Sequence, residues 1–330
     1  MLNRMRTQPR YAIATGGAYT NIRDLIRLRY AVKELDSLKL PKSANPLSGL
    51  LTSKFKGRGI DFAEVRIYQP GDDVRTIDWR VTARTQTPHT KMFQEEKERP
   101  VMILVDQSIS MFFGSQVAFK SVTAAEVAAL VSWTNLDRGD RVGGIVFAED
   151  RHREVRPRRS KHSVLRLLHE IHDFNNALST GLLKDRDGNK EKGSYQQNYL
   201  AEALRNVRRV AKHGSTIFLI SDFQSLNEQA IIHIRQLARH NDIVGIFIYD
   251  PLERSLPRPD LYTITNGETR ARINTANKGY RRQYETSFDN YVAGLKDEFA
   301  RIKSPLLELS TADPLITTLQ TRFSEQAAQA

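Results

Sequence analysis

Cysteine is absent from the 330 residues. Its absence excludes disulfides, thiolate metal sites and a cysteine nucleophile, and it fits a reducing compartment. Long apolar runs are missing too. Val101–Val105 and Ile243–Tyr249 fall far short of the ~20 residues that span a bilayer, so no membrane span is expected. The opening MLNRMRTQPRYAIATGG is basic but has no apolar stretch before a cleavage site, which predicts no signal peptide and makes the cytoplasm the default location. Several chemical signatures are also missing: a G-x-x-x-x-G-K-[ST] nucleotide loop, a G-x-S-x-G elbow and an H-E-x-x-H helix. His169 and His172 stand three apart with no third ligand motif nearby, and read as a surface pair rather than a zinc site.

What is present fits an ordinary folded chain. It is 40% hydrophobic and 27% charged, enough apolar residues for a sizeable core. Lys and Arg number 50 against 38 Asp and Glu, a formal net charge of +12. The excess is densest in RHREVRPRRSKH, Arg151–His162. Such a run can neutralise phosphates on nucleic acid. It also suits a charged edge strand that resists pairing with other chains. The run follows a strand-like segment and precedes a helical one, and no aromatics interleave with its basic residues. An edge strand is therefore the expectation, and no specific nucleic-acid partner.

The pattern along the chain divides it into a tail and helix at 1–44, a β-rich stretch at 45–98 and an α/β region at 99–330. Residues 20–38 carry apolar positions at helical spacing, with Thr20 or Asn21 as N-cap. In the β-rich stretch, Asp61–Gln69 and Arg75–Thr82 look like strands around a PGDD turn. After Pro100, apolar β-branched runs alternate with helical patterns. Strands are predicted at Pro100–Val105, Val142–Phe147, Thr216–Ser221, Ile243–Tyr249 and Leu306–Leu309. Helices are predicted at Phe119–Thr134, Ser163–Ile171, Leu200–Lys212, Leu226–Arg239, Phe288–Ile302 and Pro314–Phe323. Residues 251–285 hold a β excursion, Leu261–Ile264 and Arg270–Ile273 around a turn at Asn266–Gly267. The alternation predicts an α/β fold: an open, doubly wound, mainly parallel sheet with helices on both faces.

Ligands of open α/β sheets bind beyond the carboxyl ends of the strands. The first strand ends in DQSIS, where Asp106, Ser108 and Ser110 offer three hard oxygens on one loop, a donor set suited to Mg²⁺, Ca²⁺ or Mn²⁺. LISDFQS puts Asp222 at a second strand end. If the two carboxylates are neighbours they repel, and a divalent cation removes that cost. In GDDVRTIDWR the carboxylates of Asp72, Asp73 and Asp78 could form an acid/base pair. No nucleophile–His pairing lies near them, so a salt-bridge network with Trp79 packed at a junction is the preferred reading. A phosphotransferase role for Asp106 would want a second Asp at position 108, which is Ser108.

These blocks carry a resemblance. VMILVDQSISM resembles the metal-ion-dependent adhesion site of von Willebrand factor A domains, D-x-S-x-S, and LISDFQS resembles the later strand of that fold. KFKGRGIDFAEVRIYQPGDDVRTIDWRVTARTQTPHTKMFQEEKERPV resembles the signature of the DUF58 family, as do GDRVGGIVF, YDPLERSLP and LLELSTADPL. The resemblance implies a von Willebrand A-like domain with metal ligands Asp106, Ser108, Ser110 and Asp222. The third family loop usually supplies a Thr; here QQNYLAEAL places Asn198 there, whose amide oxygen is also a hard donor but of different reach. The resemblance further implies association with a MoxR-type AAA+ ATPase and with other von Willebrand A proteins. The resulting expectation is a non-enzymatic adaptor that binds its partner through a divalent cation. The alternatives are a metal-dependent phosphoester hydrolase with Arg75 or Arg80 clamping phosphate, and nucleic-acid binding through Arg151–Lys161.

Overall fold

The computed structural model describes residues 17–34, 61–70, 72–94, 100–186, 198–265 and 270–329. The expected tail at 1–16, the KFKGRG stretch and the Asn266–Gly267 turn lie outside them. The chain divides into two compact units, Asn45–Glu98 on its own and Met1–Ala44 with Arg99–Ala330.

The larger unit is built on a six-stranded sheet. Its strands are β3 (Pro100–Asp106), β4 (Arg141–Phe147), β5 (His152–Arg158), β6 (Thr216–Ser221), β7 (Asp242–Tyr249) and β10 (Leu306–Ser310), in the order β10-β7-β6-β3-β4-β5. All neighbours are parallel except β4 and β5. The apolar runs are continuous because the strands are buried on both faces. The two-residue period sorts them: Val101, Ile103 and Val105 enter one core, and Met102 and Leu104 the other. Helices Lys120–Asp137, Lys161–Arg186 and Leu315–Gln329 cover the first face, and Tyr199–Val210, Glu228–Ala238 and Lys278–Arg301 the second. Each fully buried Val, Ile or Leu contributes about 1.5–3 kcal/mol. Gly245 of β7 leaves room for the Phe299 ring, which would lie 2.4 Å from a Cβ at that position.

The basic run forms the antiparallel edge strand, with Arg151–Glu154 exposed, Val155 buried and Pro157 removing a backbone donor. The helix after it is longer than predicted, because Phe174, Asn175 and Leu178 carry its buried face past Ile171. At the N-terminal end, Asn21 caps a helix at Ile22–Arg27, which tightens into a 3₁₀ segment at Leu28–Glu34. Asn175 ties this segment to the sheet. Its Oδ1 accepts from Thr20 N at 2.7 Å, and its Nδ2 donates to Ser121 Oγ at 3.0 Å and Gln107 Oε1 at 3.3 Å. The excursion forms an antiparallel pair, β8 (Leu261–Thr265) with β9 (Arg270–Asn274).

The smaller unit corrects one expectation. Strand β1 (Asp61–Ile67) pairs antiparallel with β2 (His89–Gln94), and the predicted strand Arg75–Thr82 is instead a 3₁₀ turn at Val74–Thr76 followed by a helix at Trp79–Thr85. The cause is local. Asp73 accepts from Arg75 N at 3.0 Å, and Asp78 from Arg80 N at 3.0 Å and Val81 N at 3.2 Å, so each carboxylate caps a helical turn. The Val81 amide first, and then Lys91, hold Asp78 below the usual carboxylate range against burial. Asp72 pairs with Arg66 at 2.7 Å. These carboxylates therefore fix backbone and salt bridges. Trp79 is not packed within this unit; it is 69% exposed.

Candidate functional site

The winding of the sheet determines where the site lies. From β3 the chain proceeds to β4 and β5 on one side, then returns to lay β6 on the other. The carboxyl ends of β3 and β6 therefore lie side by side while the connections leaving them turn to opposite faces, which makes this the switch point of the sheet. Asp106 ends β3, and Asp222 follows directly after β6.

Both carboxylates are buried, Asp106 at 0% and Asp222 at 2% exposure. Asp106 Oδ1 accepts from Ser108 N at 2.9 Å, and Oδ2 accepts from Ser221 Oγ at 2.6 Å. Ser108 and Ser110 hydroxyls approach to 3.1 Å, so both oxygens point to one place. Burial, then the charge of Asp222, push the Asp106 carboxyl up to about 7, against the bonds from Ser108 and Ser221. Glu149 adds a further carboxylate. It accepts from Ile109 N at 2.7 Å, and burial raises its pKa. The Tyr199 phenol is pushed up to about 12, by burial and then by Asp106.

Sequence reasoning missed the cation that the described residues place in this cluster. Lys120, at 0% exposure, donates to Asp222 Oδ2 at 2.8 Å and to Glu253 Oε1 at 2.6 Å. Burial alone would lower its pKa, but Asp222 and then Glu253 outweigh that and raise it, so the ammonium stays charged. Lys120 opens a helix, Lys120–Asp137, that carries no other Lys, Arg or His, and that isolation was the available signal. Glu253 was legible as the fourth residue of D-P-L-E. Asp250 and Glu253 form a capping box around Pro251–Arg254, and Glu253 Oε2 accepts from Asp250 N at 2.9 Å.

Asn198 stands at the N-cap position of helix Tyr199–Val210. Its Oδ1 accepts from Asn227 Nδ2 at 2.6 Å, and Asn227 Oδ1 in turn caps the next helix through Ala230 N. One acceptor lone pair of Asn198 is thus committed. The donor set fits a hard cation in part. Asp106, Ser108 and Ser110 supply convergent oxygens, and no Lys or Arg pairs with Asp106 or Glu149 among the described residues. Asp222 already shares the Lys120 ammonium. No group of three or more His, Asp or Glu side chains placed to hold a metal occurs among the described residues, so serine hydroxyls and water would complete any coordination.

Behind the site, Asp250 is fully buried. Its Oδ2 accepts from Ser115 N at 2.8 Å and Thr311 Oγ1 at 2.7 Å, and Oδ1 from Leu252 N at 2.9 Å. Burial would raise its pKa, but these bonds outweigh burial and hold it below the usual range. A depressed carboxylate stabilises the fold above the unfolded-state pKa of about 3.9, and that contribution is lost as pH falls through the folded value. Asp250→Asn should therefore cost about 2 kcal/mol at neutral pH, because an amide donor then faces the Ser115 N–H. In denaturant titrations the variant and wild type should converge as the pH falls below about 4.

No helix among the described residues is long and apolar enough to cross a membrane. Uncharacterised proteins of Mycobacterium tuberculosis and Mycobacterium bovis are 28% identical over 279 residues, covering 83% of this chain and 77% of theirs. Among solved structures, the conserved hypothetical protein BatB from Bacteroides thetaiotaomicron aligns over 70% of this chain and 99% of its own, with 16% identity and a TM-score of 0.38. An uncharacterised membrane-spanning protein from Vibrio fischeri aligns over 68% of this chain and 97% of its own, with 17% identity and a TM-score of 0.20. Likeness at that level supports no argument about this chain. The model of the DUF58 family, described as a protein of unknown function, matches residues 64–292, and the chain belongs to that family.

Proposed function

We propose that the chain is a non-enzymatic interaction module of the von Willebrand A type, engaging a protein partner through a divalent cation held by Asp106, Ser108 and Ser110. The observation that carries this reading is the pair of buried carboxylates, Asp106 and Asp222, at the switch point of the sheet, where among the described residues the Lys120 ammonium offsets only part of the charge. A bound Mg²⁺, Ca²⁺ or Mn²⁺ would supply the missing positive charge and an open position for a carboxylate from the partner. Asp106 holds the loop through Ser108 N, and Ser108 and Ser110 present their hydroxyls from it. Gln107 anchors the same loop, donating from Nε2 to Ser121 O at 2.9 Å. Asn198 Oδ1 keeps one lone pair for the ion or a coordinated water.

The rim suits a protein surface. Ile109, Phe113 and Val117 on the loop after β3 are 44%, 40% and 45% exposed, apolar groups that an interface would cover. The family resemblance suggests a MoxR-type AAA+ ATPase as the partner, with other von Willebrand A proteins alongside, and an adaptor role in a chaperone-like system. No step of that role needs a catalytic group in this chain. The phosphoester hydrolase and the nucleic-acid readings have no specific observation in their favour. Arg151–Arg158 serves as the sheet edge, and the Arg151 guanidinium sits over the Phe174 ring at 4.4 Å.

Isothermal titration of Mg²⁺, Ca²⁺ and Mn²⁺ into EDTA-treated protein should give saturable binding that Asp106→Ala removes. Capture of a MoxR-type ATPase should need the same cation. Capture that is undiminished in EDTA and in Asp106→Ala would sink the proposal.

A further inference from the structure

Beside Asp222 the larger unit holds a cavity of about 400 Å³, within the range of about 300–1,000 Å³ usual for ligand pockets. Its walls are aromatic, formed by Phe247, Phe288, Tyr284 and Tyr291, with Asp222 and Glu253 also among the lining residues. Phe247 packs against Phe288 at 6.2 Å and Tyr291 at 6.0 Å between ring centroids, which fixes the walls to one another.

The hydrogen-bond inventory of this cavity is lopsided. Tyr291 OH donates to Asp222 O at 2.8 Å, Tyr284 OH to Leu252 O at 2.9 Å, and Ser287 Oγ to Gln283 O at 2.9 Å. The hydroxyl protons of its walls are thus committed to backbone carbonyls. What these hydroxyls have left to offer is oxygen lone pairs, alongside those of the Glu253 carboxylate, which is 23% exposed; Asp222 lies behind, its Oδ1 accepting from Gln224 N at 3.1 Å and its Oδ2 from Lys120. The Gln224 amide, also in the lining, leans on Glu253 Oε1 at 3.4 Å. A group that satisfies such a cavity is cationic, flat enough to lie on aromatic faces and rich in donors.

We propose that the cavity receives the guanidinium of an arginine side chain on a protein partner. Arginine meets each requirement, with five N–H donors on a plane that stacks on aromatic rings and stays charged at every physiological pH. An ammonium would bring three donors from a single nitrogen and no stacking plane. The cavity borders Asp222, so the same partner face would set an arginine beside the carboxylate that the cation loop takes. The inference deepens the interaction reading by naming a second partner group, but it needs no bound divalent ion.

The test uses the full chain in EDTA, titrated with N-acetyl-arginine methylamide and, separately, with its neutral citrulline isostere. Saturable binding with about a tenfold or greater preference for the guanidinium is expected. Phe288→Ala removes a wall, and Ser287→Trp, at an exposed helix position, fills the mouth. Each should weaken binding by about tenfold while the circular dichroism spectrum stays that of wild type. Equal affinity for the citrulline isostere overturns the proposal, as does a failure to saturate, or binding unchanged in both folded variants. The cation reading fails separately, in the Mg²⁺ titration, because EDTA removes its ion from this experiment.

Discussion

Lys120→Met is expected to destabilise the larger unit by about 3–5 kcal/mol, the usual cost of leaving one member of a buried ion pair alone. Lys120 is fully buried and holds Asp222 and Glu253 together. Methionine matches the length and volume of the lysine stem, so the loss is electrostatic rather than a cavity. Glu253 is 23% exposed and can turn to water, whereas Asp222, at 2%, cannot. Most of the cost therefore falls on Asp222, and the double variant Lys120→Met/Asp222→Asn should recover a large part of it. Urea unfolding of the three proteins checks this. A single variant within about 1 kcal/mol of wild type would mean that water already reaches Asp222.

Asp106→Asn should act in the opposite sense on the cation-free protein, raising its stability by about 1–3 kcal/mol. The substitution removes a buried charge that no lysine or arginine offsets among the described residues and that Asp222 repels. The hydrogen bonds survive it. The amide oxygen still accepts from Ser108 N, and Ser221 Oγ can rotate to accept from the new amide while keeping its bond from Phe223 N at 2.9 Å. With Mg²⁺ present the order should reverse, because the wild type gains ligand stabilisation that the variant cannot. Thermal melts in EDTA and in Mg²⁺ give both arms. A variant less stable than wild type in EDTA would show that the Asp106 carboxylate is compensated without a divalent ion.

The contrast between these two carboxylates marks what could be read in advance. Strand runs such as Ile217–Ile220 and Ile243–Ile248 announced themselves because burial on both faces leaves no polar position in them. The end of such a run then places Asp106 and Asp222 without further information. The pairing of Lys120 was invisible for the opposite reason. Its meaning comes from partners 102 and 133 residues away, and no local pattern encodes that pairing. The misread segment Arg75–Thr82 failed at short range. Its alternating side chains suit a strand, but Asp73 and Asp78 win locally by capping the amides that follow them. The helix after the edge strand was cut short because Asn175 looks polar in sequence, yet it is fully buried as the hub of a hydrogen-bond network.

The helix Lys120–Asp137 is buried at every position from Lys120 to Asn135. A rod enclosed on all sides has no compliant face; tilting or sliding it would disturb the β-sheet, the neighbouring long helix and the N-terminal segment, which Trp133 Nε1 reaches at Leu25 O, 3.3 Å away. The floor of the site is therefore stiff, and what is left to adjust is the exposed rim, Ile109, Phe113 and Val117. Recognition built this way adjusts at its edges while its charge stays fixed, so a partner is selected first by whether it brings the right charge and only afterwards by shape.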